Sequence, residues 1–196
     1  PDVMVHNLTL DTRALEPGDV FVALPGAEHD GRDFIEPALA AGAVAVLAES
    51  GRELNRDDGR VISVSGLKGE LGALANRLYG SPSGDLKVVA ATGTNGKTSV
   101  VDLTVQMLRR TGRKTGTIGT LGMRLDQQPT ETRNTTPDCL ALHRQLRQWR
   151  DHGVECVALE ASSHALDQGR LDGLAVDVGV FTNLSRDHLD YHHSMD

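Results

Sequence analysis

The segment Gly93–Thr98 has the residue types and spacing that bind nucleotide phosphates. Its glycines let backbone N–H groups turn toward phosphate oxygens, and the N-terminus of a following helix adds positive potential. Lys97 is long enough to reach the β- and γ-phosphates, and the hydroxyl of Thr98 is a ligand that Mg²⁺ accepts. The segment follows an apolar run and precedes an amphipathic one, as a phosphate-binding loop requires. The general loop pattern has glycine where this chain has Ala91, so the sequence predicts a variant of that loop.

Glu160 is a second candidate for chemistry, because it directly follows the predicted strand Val154–Leu159. Open α/β sheets bind ligands at the carboxyl ends of their parallel strands. A carboxylate at such an end, close to Thr98, would offer the oxygen ligand that Mg²⁺ prefers. The alternative is a solvated glutamate at the end of a strand.

The elements that must position these residues alternate between strands and helices, which predicts an α/β fold with mostly parallel sheets. The polar segment Ser81–Gly84 divides the chain into a small first unit, residues 1–84, and a second unit, residues 85–196. Thr136 is a candidate N-cap for a helix that begins at Pro137. The predicted strands are 20–24, 44–48, 61–64, 86–91, 154–159 and 176–181, and the predicted helices are 33–41, 71–78, the segment between Lys97 and Gly112, and 137–152.

Composition excludes several classes of function. The chain has 196 residues with 39% hydrophobic and 24% charged, which is ordinary for a globular protein. A net charge of −7 and only 3% aromatic residues argue against nucleic-acid binding. The longest apolar stretch, 38–48, is shorter than the roughly 20 residues that span a bilayer, so no membrane partner is expected. Cys139 and Cys156 lack metal-ligand spacing, which favours two reduced thiols in a cytoplasmic protein over one disulfide.

Several segments resemble the Mur ligase family. The loop Ala91–Thr98 resembles the ATP loop of these ligases and of their folylpolyglutamate synthetase relatives. Three further segments are similar to those of the members that add the third amino acid of the peptidoglycan peptide: Asn134–Pro137, Glu160–Leu166 and Phe181–His192. In the first unit, Leu10–Arg13, Gly18–Leu24 and Asp30–Arg32 resemble the family's N-terminal uridine-binding domain. The resemblance covers essentially the whole chain.

The resemblance implies a ligase of peptidoglycan precursor synthesis, and with it a role in cell-wall biogenesis, cell shape and cell division. ATP would phosphorylate the terminal carboxylate of UDP-MurNAc-L-Ala-D-Glu, and the amino group of a diamino acid would then attack the acyl phosphate. The step brings two anions together, so it needs positive charge from a metal ion, a lysine and a helix dipole. Residues 1–84 would bind UDP, and residues 85–196 would form an incomplete central ATP-binding domain. Lysine and meso-diaminopimelate both stay open as the added amino acid.

The resemblance also assigns residue roles. Thr12 stands where the family usually has serine, and a hydroxyl is retained. His188 would bind a metal, for which Mn²⁺ is an alternative to Mg²⁺ because Mg²⁺ prefers oxygen ligands. The implied ATP-binding residues are Gly93, Thr94, Asn95, Gly96, Lys97, Thr98 and Ser99; the metal ligands are Thr98, Glu160 and His188; the catalytic residues are Lys97, Glu160 and His188; and the substrate-binding residues are Leu10, Thr12, Asn134, Thr135, Thr136, Ser162, Gln168 and Arg170.

Each assignment has a plainer alternative. His188 would be a loop histidine, Arg170 a surface arginine and Thr136 only a helix cap. His164, His192 and His193 are expected to be structural or loop residues. The loop 27–29 matches a UDP-contacting stretch of the family by position but weakly by residue type.

Both ends of the chain suggest a fragment of a longer protein. The resemblance implies a carbamylated lysine beyond Asp196 and a C-terminal domain that binds the incoming amino acid. We therefore expect that this chain is not a competent ligase alone. Two rival functions stay open: a folylpolyglutamate synthetase-like ligase, and a non-catalytic module that binds a nucleotide or a UDP-sugar.

Overall fold

In a computed structural model of the protein, residues 4–26, 29–53, 58–125, 128–130 and 135–194 are described. They form two compact units that divide between Leu78 and Tyr79. This division lies six residues before the predicted boundary at Gly84, because the short helix Pro82–Asp85 packs within the second unit. Pro82 and Ser83 are buried there, and the Ser83 hydroxyl accepts a hydrogen bond from the backbone N–H of Ala175 at 3.0 Å.

The first unit contains, within its described residues, one four-stranded parallel sheet in the order β1-β2-β3-β4. The strands are β1 (Leu8–Thr9), β2 (Val20–Ala23), β3 (Ala45–Glu49) and β4 (Val61–Val64), and the helices are α1 (Ile35–Ala40) and α2 (Leu67–Leu78). All four residues of β2 are buried, as expected for a continuous apolar run in a parallel sheet. The core between the sheet and α1 includes Phe21, Ile35 and Leu39.

The second unit contains, within its described residues, a six-stranded sheet in the order β10-β5-β9-β6-β7-β8. Its strands are β5 (Lys87–Thr92), β6 (Thr115–Gly119), β7 (Gly122–Leu125), β8 (Gln128–Thr130), β9 (Cys156–Glu160) and β10 (Val178–Phe181). Its helices are α3 (Pro82–Asp85), α4 (Lys97–Arg110), α5 (Cys139–Asp151), α6 (Ser163–Asp167) and α7 (Leu189–His192). Strands β10, β5, β9 and β6 run parallel, whereas β7 and β8 are antiparallel. The predicted α/β class with mostly parallel sheets is confirmed.

The predicted helix 33–41 is confirmed as α1, Ile35–Ala40, and a 3₁₀ turn, Gly31–Phe34, precedes it. The prediction of Thr136 as a helix N-cap is wrong. The N-cap of α5 is Asp138, whose carboxylate accepts a hydrogen bond from the N–H of Ala141 at 2.9 Å. Thr136 does not cap the helix because its hydroxyl donates to the carbonyl oxygen of Glu160 at 2.7 Å.

Two further observations concern the cysteines and the helices. Cys139 and Cys156 are both free and buried, as predicted, and burial raises the pKa of the Cys139 thiol to about 11. Among the described residues, no helix combines the length and the apolar character needed to cross a bilayer.

Candidate functional site

The candidate residues of the second unit follow neighbouring strands at one edge of its sheet. The phosphate-binding loop follows β5, Glu160 ends β9, and Thr120 directly follows β6. Ala91 of β5 pairs in register with Glu160, and the N–H of Ala161 donates to the Ala91 carbonyl at 2.8 Å. Because these strands are parallel, their carboxyl ends meet at one edge, where open α/β sheets bind ligands.

Two glycines give the loop its backbone path. Gly93 has φ +123° and Gly96, at the N-cap of α4, has φ +87°, and both values lie in the region that favours glycine. A Cβ on Gly93 would overlap the hydroxyl of Thr182. Ala91 stands where the general pattern has glycine, but it is a fully buried strand residue that packs with Val101 of α4. That position is part of the sheet rather than of the turn, so alanine fits it.

The segment Thr182–Ser185, which follows β10, holds the loop in place. The backbone N–H of Thr94 donates to the carbonyl of Asn183 at 2.9 Å, and that of Asn95 donates to the Asn183 side chain at 3.1 Å. The Thr182 hydroxyl donates to the Asn95 carbonyl at 2.7 Å, and the N–H of Ser185 donates to the Thr94 hydroxyl at 2.9 Å. The sequence motif contained these residues, but no role was predicted for them.

Lys97 folds back over the loop. Its ammonium group donates to the carbonyl oxygens of Gly93 at 2.6 Å and Thr94 at 3.0 Å. Thr98 follows in the first turn of α4, and its hydroxyl makes no hydrogen bond to the part of the chain that the structure describes. The first backbone N–H groups of a helix have no partner within the helix, so this end of α4 offers donors to an anion.

Glu160 is a buried carboxylate, with only 2% of the residue exposed. Both of its carboxylate oxygens are held by one residue: the N–H of Thr120 donates to Oε1 at 2.9 Å, and the Thr120 hydroxyl donates to Oε2 at 3.1 Å. Within the described residues, no lysine, arginine or histidine side chain forms an ion pair with it. A buried carboxylate without a cationic partner is costly. The Glu160 carboxylate oxygens are therefore ligands that fit a hard divalent cation.

The rest of the possible ligand set also fits Mg²⁺. Among the described residues, no group of three or more His, Cys, Asp or Glu side chains could hold a metal ion. Mg²⁺ does not need such a group, because it commonly binds one or two carboxylates together with waters and the phosphates of a substrate. The predicted ligands Thr98 and Glu160 have oxygen donors of the kind that Mg²⁺ prefers, whereas His188 would offer a nitrogen that Mg²⁺ takes less readily.

Of the predicted substrate residues in the second unit, Thr136 contacts Glu160 directly, through its hydroxyl. Thr136 is buried with 1% exposed, and its carbonyl accepts a hydrogen bond from Nη1 of Arg170 at 2.7 Å. Nη2 of Arg170 donates to the side-chain oxygen of Gln168 at 2.6 Å. Ser162 caps α6 by accepting from the N–H of Ala165 at 3.2 Å. The structure thus links Arg170, Gln168 and Thr136 in one network.

His188 lies at the start of α7 with φ +51° and is exposed. Its ring is 4.7 Å from that of His164, centroid to centroid, and the ring of Tyr191 is 4.1 Å from that of His164. Burial lowers the pKa of His164, with smaller contributions from His188 and His192. His164 therefore joins α6 to α7, and the metal role of His188 stays a prediction.

In the first unit, the candidate residues also lie after the strands. Leu10 is exposed just beyond β1, and Thr12 begins a 3₁₀ turn capped by Asp11. Asp30 and Arg32 form an ion pair at 2.7 Å, and Nη1 of Arg32 donates to the Ser50 carbonyl at 3.2 Å. The predicted residues Ala27, Glu28 and Asn134 lie outside the described residues.

Two protein-family models match the chain. The model for the Mur ligase middle domain matches residues 91–196, and the model for the Mur ligase family, catalytic domain, matches residues 4–79. The first match spans more than half of the chain, so the chain belongs to the Mur ligase family.

Among curated proteins, the chain is 49% identical over its whole length to a UDP-N-acetylmuramoyl-L-alanyl-D-glutamate–2,6-diaminopimelate ligase of Pseudomonas aeruginosa. It is 51% identical to the protein of the same name from Xylella fastidiosa. In both cases the chain spans 40% of the relative's length.

Solved structures show the same likeness. A structure of a ligase with that name superimposes with a TM-score of 0.83 and 34% identity over 97% of this chain and 38% of the other. The MurF ligase of Thermotoga maritima in complex with ADP gives a TM-score of 0.66 and 27% identity over 99% of this chain and 41% of that one.

Proposed function

We propose that this chain is the UDP-binding and nucleotide-binding part of an ATP-dependent ligase that acts on UDP-MurNAc-L-Ala-D-Glu in the cytoplasm. The observation that carries the proposal is the buried Glu160 carboxylate, which has no cationic partner among the described residues and ends the strand beside the phosphate-binding loop. Such a carboxylate suits a Mg²⁺ ion that arrives with ATP.

The residues around the loop would divide the work of phosphate transfer. The N-terminus of α4 and the Lys97 ammonium would bind the triphosphate, after Lys97 exchanges the two loop carbonyls for phosphate oxygens. Thr98 and Glu160 would hold Mg²⁺, which when bound supplies positive charge at the triphosphate. Together these groups offset the repulsion between ATP and the substrate carboxylate.

The other predicted residues would position the UDP-sugar peptide. In the first unit, Leu10 and Thr12 would contact the uridine. In the second, Thr135, Ser162, Gln168 and Arg170 would hold the peptide end near the loop, because Arg170 has a planar guanidinium suited to carboxylate or phosphate. The network that ties Arg170 to Gln168 and Thr136 fixes the direction of that guanidinium.

The names of the relatives support a diamino acid as the added group, and 2,6-diaminopimelate is the one that they give. Because the chain spans 40% of those relatives, we propose that ligation requires parts of the enzyme outside these 196 residues. The chain itself would bind both nucleotides without turning them over.

Calorimetry with the chain as it stands tests this function. We expect UDP-MurNAc-L-Ala-D-Glu and Mg²⁺–ATP each to bind, and Thr12→Val to weaken the first without changing the second. If the chain bound Mg²⁺–ATP but had no affinity for UDP-MurNAc-L-Ala-D-Glu, the proposal would be contradicted and a folylpolyglutamate synthetase-like ligase would be favoured. Substrate-dependent phosphate release at full turnover by this chain would contradict the need for further parts.

A further inference from the structure

Among the described residues, Thr120 is the single residue that holds both oxygens of Glu160, and neither the sequence motifs nor the family resemblance assigns it a role. It directly follows β6, the strand next to β9 in the sheet. Its backbone N–H contacts Oε1 of Glu160 and its hydroxyl contacts Oε2, at 2.9 and 3.1 Å. Two donors from one residue fix both the position and the rotation of the carboxylate plane.

The neighbouring residue leaves room for this arrangement. Gly119 ends β6 and is buried, and a Cβ built on it would overlap Oε1 and crowd Cδ of Glu160. Its φ is not in the left-handed region, so the close approach of the carboxylate, rather than a turn, is what requires glycine here. Gly119 and Thr120 together form a cradle: the first gives space and the second gives hydrogen bonds.

The hydroxyl of Thr120 also reaches a predicted substrate residue. Its oxygen is 3.4 Å from the hydroxyl oxygen of Thr135. Since the Thr120 hydroxyl donates its only proton to Glu160, it can accept one from Thr135. The two hydroxyls and the carboxylate thus form a short chain from Thr135 to Glu160.

We infer that Thr120 is a positioning residue that orients the Glu160 carboxylate for a divalent cation bound with nucleotide. The inference rests on the proposed function, because it takes Glu160 as the metal ligand. Partners that orient a metal-binding side chain change metal affinity by roughly 10- to 100-fold when they are removed. Thr120 keeps its backbone donor in any variant, so we expect a loss near the lower end, about tenfold.

The test compares Thr120→Val, which removes only the hydroxyl, with Thr120→Ser, which retains it. Thr117→Val is the matched control, because Thr117 lies in β6, the strand that Thr120 follows, and its hydroxyl accepts from Nε of Arg124 rather than contacting Glu160. ATP binding to each full chain is measured by calorimetry over a series of Mg²⁺ concentrations, and once in EDTA. Thermal unfolding without metal or nucleotide is measured in parallel.

The inference predicts that Thr120→Val needs about tenfold more Mg²⁺ for the same ATP affinity. Thr120→Ser and Thr117→Val should match the unsubstituted chain, and ATP affinity in EDTA should be equal in all four proteins. An unchanged Mg²⁺ requirement in Thr120→Val would overturn the inference. A loss of ATP affinity in EDTA, or an unfolding midpoint lowered well below that of Thr117→Val, would also overturn it by showing a purely structural role.

The same measurements distinguish an error in the proposed function from an error in the role of Thr120. If the unsubstituted chain bound ATP with no dependence on Mg²⁺, the metal role of Glu160 would be wrong, and the inference would fall with it. If that chain showed the dependence and Thr120→Val retained it in full, only the role of Thr120 would fail.

Discussion

The carboxyl edges of the two sheets carry acidic side chains in opposite states of pairing. At the edge of the first sheet, Asp30 is partly exposed and forms ion pairs with Arg32 at 2.7 Å and Arg52 at 3.5 Å. At the edge of the second sheet, Glu160 is buried and receives hydrogen bonds only from Thr120 among the described residues. The first edge neutralises its own acid, whereas the second leaves a negative charge that a bound cation can neutralise.

The pKa values and contacts of the charged groups follow this contrast. The hydrogen bond from Arg32, more than any other contact, lowers the pKa of Asp30 to about 2. The comparable cation of the second unit is Lys97, within the phosphate-binding loop, and its partners are two neutral carbonyls. A site whose acid and base each have neutral partners is prepared for charged ligands, and this distinguishes a candidate reaction centre from a structural ion pair.

The largest expected effect comes from Lys97→Ala. Loss of its ammonium removes positive charge from the triphosphate, and losses of one positioned electrostatic donor cost roughly 10²–10³-fold in rate. The measurement is phosphate release by a full-length ligase that carries this segment. Lys114→Ala is the control, because Nζ of Lys114 donates to the carbonyl of His152 instead. Ligation that survives Lys97→Ala would refute the phosphate-loop assignment and favour a non-catalytic module.

Glu160→Gln sharpens the contrast between the two edges. The glutamine amide can keep both contacts with Thr120. Its oxygen accepts from the backbone N–H, and its NH₂ group donates to the hydroxyl. The substitution therefore removes the buried charge and retains the hydrogen bonds. We expect Mg²⁺-dependent ATP binding to weaken by about tenfold or more while the metal-free unfolding midpoint stays equal or rises. Asp30→Asn is the counterpart, because it loses the ion pair with Arg32 and should lower the midpoint without changing Mg²⁺ dependence. A lower midpoint in Glu160→Gln would show that the carboxylate is structural.

The smallest expected effect concerns His143, a fully buried histidine of α5. Its Nε2 is 2.9 Å from the Asp172 carbonyl, and its Nδ1 is buried without a partner among the described residues. Burial lowers its pKa below the ordinary value near 6.5, so the unfolded chain binds the extra proton first as pH falls. The contribution of neutral, buried His143 to the free energy of unfolding is thus fully present above about pH 6.5. It is lost as the pH falls below that value, and the free energy of unfolding then decreases by at most about 1.4 kcal/mol per pH unit.

Urea unfolding followed by the fluorescence of Trp149, the single tryptophan, measures this slope in the second unit. His143→Gln should flatten the dependence between about pH 7 and 5.5 relative to the unsubstituted chain. His152→Gln, at an exposed histidine, should leave it unchanged. Equal slopes in the unsubstituted chain and His143→Gln would contradict the account.

Much of the fold was predictable because buried parallel strands are continuous apolar runs. Val20–Ala23 and residues 156–159 of β9 stand out in the sequence for this reason, and all of them are buried. Strand β6 does not, because its residues are two glycines, two threonines and one isoleucine. The glycines are needed for packing that only the folded chain shows: a Cβ on Gly116 would overlap the ring of Trp149, and one on Gly119 would overlap Glu160.

The candidate site was predictable only where its residues are close in sequence. The loop from Gly93 to Thr98 and the glutamate that ends β9 both follow from local patterns. The cradle at Thr120 and the hydrogen bonds that Asn183 accepts from the loop do not, since they depend on β6 lying beside β9 and β10 lying beside β5. Strand order is a property of the whole sheet, and no short segment encodes it.

A crystal structure of the chain with Mg²⁺ and a non-hydrolysable ATP analogue tests the central claim most directly. We predict the ion within about 2.1 Å of both the Thr98 hydroxyl oxygen and a carboxylate oxygen of Glu160. Lys97 should have moved from the loop carbonyls to the triphosphate. An ion bound to the triphosphate with Glu160 outside its coordination sphere, or a nucleotide bound away from the start of α4, would contradict the account.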